Sequence, residues 1–193
     1  LAGSAPLEHM YTLKQAAAGL LDLVYPPRCL ICERSGAPAV CEICAAAFAE
    51  RYDFPLDGFQ REAIEALDQG MSVLVAAPTG AGKTVVAEYA IERAIDAERK
   101  CFYTTPLKAL SNQKFGDFVA AYGAGMVGLL TGDNTINGEA PIVVMTTEVL
   151  RNMLYERSDT LEGLQSVVMD EVHYLQDPYR GAVWEEVLIH LPA

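Results

Sequence analysis

From residue 53 onward, short apolar runs alternate with stretches of helical periodicity, and that alternation leaves few folds open. The runs are MSVLVAA (71–77), KCFYTTP (100–106), GMVGLL (125–130), PIVVMTT (141–147) and LQSVVMD (164–170). Each is short and nearly continuous in apolar residues, which suits a strand covered on both faces. Between them GFQREAIEALDQG (58–70), TVVAEYAIERAIDAE (84–98), LKALSNQKFGDFVAAYG (107–123), EVLRNMLYERS (148–158) and GAVWEEVLIHLP (181–192) read as helices, the first closed by Gly70. TGDNTINGEA (131–140) reads as a loop. Strands that alternate with helices predict an α/β fold, a parallel sheet with helices on both faces. Ligands of such sheets bind beyond the carboxyl ends of the strands.

Two of those ends carry chemistry. AAPTGAGKT (76–84) joins an apolar run to a helix and finishes in Gly82, Lys83 and Thr84. Backbone N–H groups of Pro78-Thr79-Gly80-Ala81-Gly82 loops, proline excepted, can cradle phosphates with the help of the helix N-terminus. Lys83 would reach the β- and γ-phosphates and the Thr84 hydroxyl would ligate Mg²⁺. Ala77 stands where the general P-loop pattern has its first glycine. The second end is VVMDEVHYL (167–175), an apolar run that stops in two carboxylates. A P-loop nucleotidase needs a carboxylate on a neighbouring strand to hold Mg²⁺. Asp170 fits that role, and Glu171 fits the residue that polarises the attacking water. Lys83, Asp170 and Glu171 are thus the expected catalytic set, with ATP and Mg²⁺ as cofactors.

With these residues in view the chain resembles the DExH helicases of superfamily two, and most closely the superkiller-type, exosome-associated RNA helicases. DEVH resembles their signature box, FPLDGFQREAI the segment before the P-loop, and YTTPLKALSNQKF the motif that grips the nucleic-acid backbone. GLLTGDNTINGEAPIVVMTTEVLRNMLY resembles two further strand-contacting motifs. The resemblance covers residues 54–193 as a RecA-like first motor domain. It implies that Phe54 and Gln60 contact adenine and that Pro78 to Thr84 bind phosphate. It also implies that His173 couples the ATP site to the second motor domain, and that Pro106, Lys108, Gly132, Asp133, Thr146 and Thr147 lie along a single strand. RNA is favoured over DNA. Such helicases use two motor domains with ATP between them, and this chain matches the first, so weak hydrolysis is expected of it alone. For the threonines, helix N-capping fits as well as strand contact. Trp184 reads as a core residue.

A different segment precedes the motor. Cys29, Cys32, Cys41 and Cys44 form two C-x2-C pairs, a spacing that suits a tetrahedral structural Zn²⁺. The surrounding sequence resembles the zinc ribbon of competence-factor phosphoribosyltransferases, from which only the four ligands carry over. The expected domains are a linker or disordered stretch at 1–10, a helix and zinc ribbon at 11–50, and the motor from 54.

Charge narrows the partners only a little. The formal net charge is −12, so no broad basic surface announces a nucleic acid, although a local groove can be positive on an acidic protein. TLKQAAAGLLDLVY is too short for a bilayer and is broken by Lys14 and Asp22. No membrane is expected, and a cytoplasmic location fits the cysteine usage. The leading function is ATP-dependent RNA unwinding. A DNA translocase of competence or repair type is the alternative, as is a zinc-dependent adaptor with a truncated motor.

Overall fold

The computed structural model describes residues 47–191. The four cysteines expected to hold zinc, residues 1–10 and most of the 11–50 segment lie outside them. The chain divides between Ala76 and Ala77 into two units.

In the described part of the first unit, helix α1 (Gly58–Asp68) starts where the sequence places it. The Asp57 N–H donates to Gln60 Oε1 at 2.8 Å, so a side chain one turn in closes the helix start. Gln60, Ala63 and Ile64 are buried. Gly70, at φ 76°, ends the helix in the left-handed conformation that glycine adopts without steric cost. The stretch 71–77, expected as a strand, forms none, and Leu74 is 75% exposed. An apolar run gives the propensity for a strand, but a strand exists only with a partner for its ladder.

The second unit runs α2 (Thr84–Asp96), β1 (Lys100–Thr105), α3 (Lys108–Tyr122), β2 (Val127–Thr131), β3 (Asn134–Ile136), β4 (Ile142–Thr146), α4 (Thr147–Glu156), β5 (Leu164–Met169) and α5 (Gly181–His190). The sheet order is β3-β2-β4-β1-β5. β2, β4, β1 and β5 pair in parallel, and β3 pairs antiparallel with β2. β3 corrects the expectation of a loop over 131–140. Thr131 and Asn134 are cross-strand partners, so Gly132-Asp133 is a two-residue hairpin turn.

Side chains alternate across the sheet, as strand geometry requires. Cys101, Tyr103, Leu129 and Val144 face Ile91 and Ala94 of α2 and Phe118 of α3. Phe102, Val143 and Met145 face Leu150 and Met153 of α4 and Val187 of α5. Helices therefore cover both faces, as expected, and Trp184 of α5 is buried. The 13 residues of α2 rise ~20 Å and the 6 of β1 span ~20 Å. With a turn of only three residues between them, the start of α2 lies level with the carboxyl end of the sheet.

Candidate functional site

The carboxyl edge gathers every motif of the second unit. Because the strand order there is β2-β4-β1-β5, the stretches that follow them stand in a row. Gly132-Asp133 follows β2, Thr146-Thr147 ends β4, Thr105-Pro106 ends β1 and Asp170-Glu171 follows β5. The carboxylates thus lie at one end of the row and the strand motifs at the other.

The P-loop is shaped by Gly80 and Gly82, at φ 81° and 78°, a conformation that residues with a Cβ rarely adopt. The Lys83 ammonium turns back into the loop and donates to the carbonyls of Ala77 at 2.7 Å and Pro78 at 2.9 Å. An ammonium has three protons, so these bonds hold the lysine inside the loop while leaving it able to reach an anion there. Thr84, the first residue of α2, is exposed at the helix's positive end.

At the end of β5 the chain changes direction sharply. Glu171 has φ 58°, left-handed backbone that costs about 1–2 kcal/mol for a residue with a side chain. Asp170 is fixed from three sides. Its N–H donates to the Thr104 carbonyl at 3.0 Å. Its Oδ1 accepts the Glu171 N–H at 2.8 Å and its Oδ2 accepts the Tyr103 hydroxyl at 2.6 Å. The Glu171 carboxylate meets His173 Nδ1 at 3.1 Å. His173, expected as a coupling residue, is thus also a direct neighbour of the residue expected to activate water.

The strand motifs divide into exposed and buried members. Lys108, Gly132 and Asp133 are exposed, while Pro106, Thr146 and Thr147 are buried. Lys108 and Asp133 form an ion pair that bridges the start of α3 and the β2–β3 turn. The hydrogen bond from Lys108 holds the Asp133 carboxyl below its usual range. The Thr147 hydroxyl donates to the Thr105 carbonyl at 3.3 Å, and that of Thr105 lies 2.7 Å from Ser111 Oγ. Thr146 is the N-cap residue of α4, yet its hydroxyl makes no capping bond. Thr147 thus ties the start of α4 to the end of β1, and Thr105 ties that strand end to α3.

Two functional neighbours escaped the sequence reading. One is Tyr103. The other is Arg180, whose guanidinium donates to the Pro106 carbonyl. Asp177 Oδ1 accepts from the N–H groups of Tyr179 and Arg180, both at 2.9 Å, and stiffens the turn that presents that arginine. A buried tyrosine needs a partner for its hydroxyl, and that was the available signal for Tyr103.

Residues 57–193 match the DEAD/DEAH box helicase family. The chain belongs to that family. It is 62% identical over 147 residues to the probable helicase HelY of Mycobacterium leprae, covering 76% of this chain and 16% of that protein. Identity to the DExH-box ATP-dependent RNA helicase DExH15 of Arabidopsis thaliana is 56% over 147 residues, 73% of this chain and 13% of that one. This helicase domain therefore spans less than a fifth of these relatives. A hypothetical ATP-dependent RNA helicase from Sulfolobus tokodaii superimposes with a TM-score of 0.57 at 22% identity, over 76% of this chain and 46% of that chain, which shows the fold to be RecA-like.

The donor set at the helicase domain's edge suits Mg²⁺. It offers a hydroxyl and carboxylate oxygens, and Mg²⁺ is held by one or two carboxylates together with substrate phosphates and water. Among the described residues no cluster of three or more His, Cys, Asp or Glu is placed to hold a metal. No helix among the described residues is long and apolar enough to cross a membrane.

Proposed function

We propose that this domain is the ATP-binding half of a motor that moves along single-stranded RNA and unwinds it. The single observation that carries the reading is the row at the carboxyl edge, with P-loop helix, DE box and strand motifs on one rigid sheet.

In this reading the P-loop amides and the positive end of α2 take the β- and γ-phosphates. Lys83, held by the carbonyls of Ala77 and Pro78, turns its remaining proton to a phosphate oxygen. Thr84 and Asp170 would hold Mg²⁺, which would supply positive charge to offset that developing on the phosphates. Glu171, steadied by His173, accepts a proton from the water that attacks the γ-phosphorus as the bond to the β-phosphate oxygen breaks. Phe54 and Gln60 are assigned to adenine on the family resemblance. Lys108, Gly132 and the N–H groups at the start of α4 face the nucleic-acid backbone. The choice of RNA follows the name of the Arabidopsis relative, and a cytoplasmic location follows the cysteine usage. Cys29, Cys32, Cys41 and Cys44 are proposed to hold a structural Zn²⁺, on their spacing alone.

The test is ATP turnover by a protein that carries this domain together with a second motor domain, with single-stranded RNA or DNA added at one salt concentration. RNA-specific stimulation supports the proposal. Equal or stronger stimulation by DNA makes the protein a DNA translocase, and no stimulation by either removes the motor reading. The 193-residue chain alone should turn over slowly, because cationic groups from a second domain carry much of the catalysis in this reaction class.

A further inference from the structure

Tyr103 lies in β1, a strand covered on both faces, and is 2% exposed. Its ring meets Phe118 of α3 edge-on, with centroids 5.0 Å apart and planes at 76°. That packing fixes where the hydroxyl can go, and the hydroxyl lies 2.6 Å from Asp170 Oδ2. An O–H···O⁻ bond of that length belongs to the short, charge-assisted class. A phenol ionises only at about pH 10, and beside a carboxylate its hydroxyl is the donor of this bond.

A carboxylate rotates easily about its last torsion, because that rotor is broad. Asp170 is prevented from doing so by one bond to each oxygen, from Tyr103 to Oδ2 and from the Glu171 N–H to Oδ1. Each oxygen keeps a further lone pair. We propose that Tyr103 is a positioning residue for Mg²⁺ binding: its hydroxyl locks the Asp170 carboxylate in the orientation that presents those lone pairs to the ion that accompanies ATP. The inference rests on the reading of Asp170 as an Mg²⁺ ligand. Its logic is second-sphere preorganisation, in which the group that orients a ligand contributes to metal affinity without touching the metal. β1 also leads into Thr105 and Pro106, so one strand carries both the Asp170 support and the start of a strand motif.

Tyr103→Phe keeps the ring and its packing and removes the hydroxyl alone. Affinity for a fluorescent ATP analogue is measured with Mg²⁺ and again with EDTA. Mn²⁺ binding in the nucleotide complex, followed by electron paramagnetic resonance, reads the metal directly. The expected result is a roughly tenfold loss of affinity with metal, no change in EDTA, and a matching loss of Mn²⁺ affinity. On an Asp170→Ala background the same substitution should then change nothing. Unchanged metal-dependent affinity overturns the proposal. So does an equal loss with and without metal, which would make the hydroxyl merely structural. Failure of the underlying reading looks different. In that case the unaltered protein shows no gain in ATP affinity from Mg²⁺, or keeps its gain when Asp170 is replaced by Ala.

Discussion

Lys83 and Glu171 separate binding from hydrolysis at the scale of single residues. Lys83→Ala removes the side-chain cation that folds into the P-loop turn, so ATP binding should be lost in equilibrium titration, while the zinc content expected of the proposed four-cysteine site should not change. Glu171→Gln keeps size and polarity but cannot take a proton. Nucleotide affinity should hold while single-turnover hydrolysis falls about 10²-fold or more in a protein with both motor domains. Parallel losses of binding and turnover in that variant would remove Glu171 from the water-activating role. Cys101 makes a separate prediction from burial. Desolvation pushes its thiol pKa up from 9.0 to about 12, so the folded state binds a proton that the unfolded state releases. The contribution of Cys101 to stability should therefore be constant below pH 9 and fall by about 1.4 kcal/mol per unit of pH from 9 towards about 12, with Tyr103 adding to the loss above pH 10. Urea unfolding across that range checks the slope, and Cys101→Ala should flatten it between pH 9 and 10, where Tyr103 does not yet contribute. Phosphates and cations dictate which residues stand at the P-loop and the box, so these were legible in the sequence. Tyr103 and Arg180 were not, because their partners lie 67 and 74 residues away. Pairing of that kind is a property of strand order.

At the scale of elements, alternation of apolar runs gave four of the five strands, because each buried run can be satisfied only in a ladder. The misses have two causes. β3 is three exposed residues, so no apolar signal marked it. Residues 71–77 have the composition of a strand without a ladder. The threonine clusters left capping and strand contact equally open, and the bonds of Thr105 and Thr147 show a third use, tying the end of β1 to α3 and to the start of α4. The turn after β5 packs closely on the start of α5. A Cβ on Gly181 would stand 2.4 Å from the Leu175 carbonyl, too close for any side chain. Gly181→Ala should therefore displace the 3-10 turn (Val172–Gln176) that carries His173 and cost about 1–3 kcal/mol. Arg180→Ala should cost a similar amount, about 1–3 kcal/mol, by leaving the buried Pro106 carbonyl without its donor. Urea midpoints measure both. A neutral Arg180→Ala would mean that the bond does not hold the turn to β1.

At the scale of the whole molecule, the proposed function requires that an acidic chain engage an anionic strand. Fourteen Lys and Arg stand against 26 Asp and Glu, and the cations at the carboxyl edge are already engaged. Lys83 is folded into its loop, Arg180 is on Pro106 and Lys108 is on Asp133. In the proposed function, strand binding would then rest mainly on helix N-termini, backbone amides and one displaceable ion pair. Counterion release scales with the phosphates that are neutralised, at about 0.7 per contact for a single strand. The domain should bind single-stranded RNA with a shallow salt dependence, a slope of about −1 in log affinity against log salt. Lys108→Ala should reduce the slope by about 0.7 and weaken binding. Asp133→Asn should do the opposite at low salt, because it releases Lys108 from its partner and removes a negative charge from the strand path. Fluorescence anisotropy across a salt series gives all three values. If Asp133→Asn instead weakens binding, Asp133 contacts the strand itself, as the family resemblance implies. A steep slope that Lys108→Ala leaves untouched would put the binding surface away from this edge.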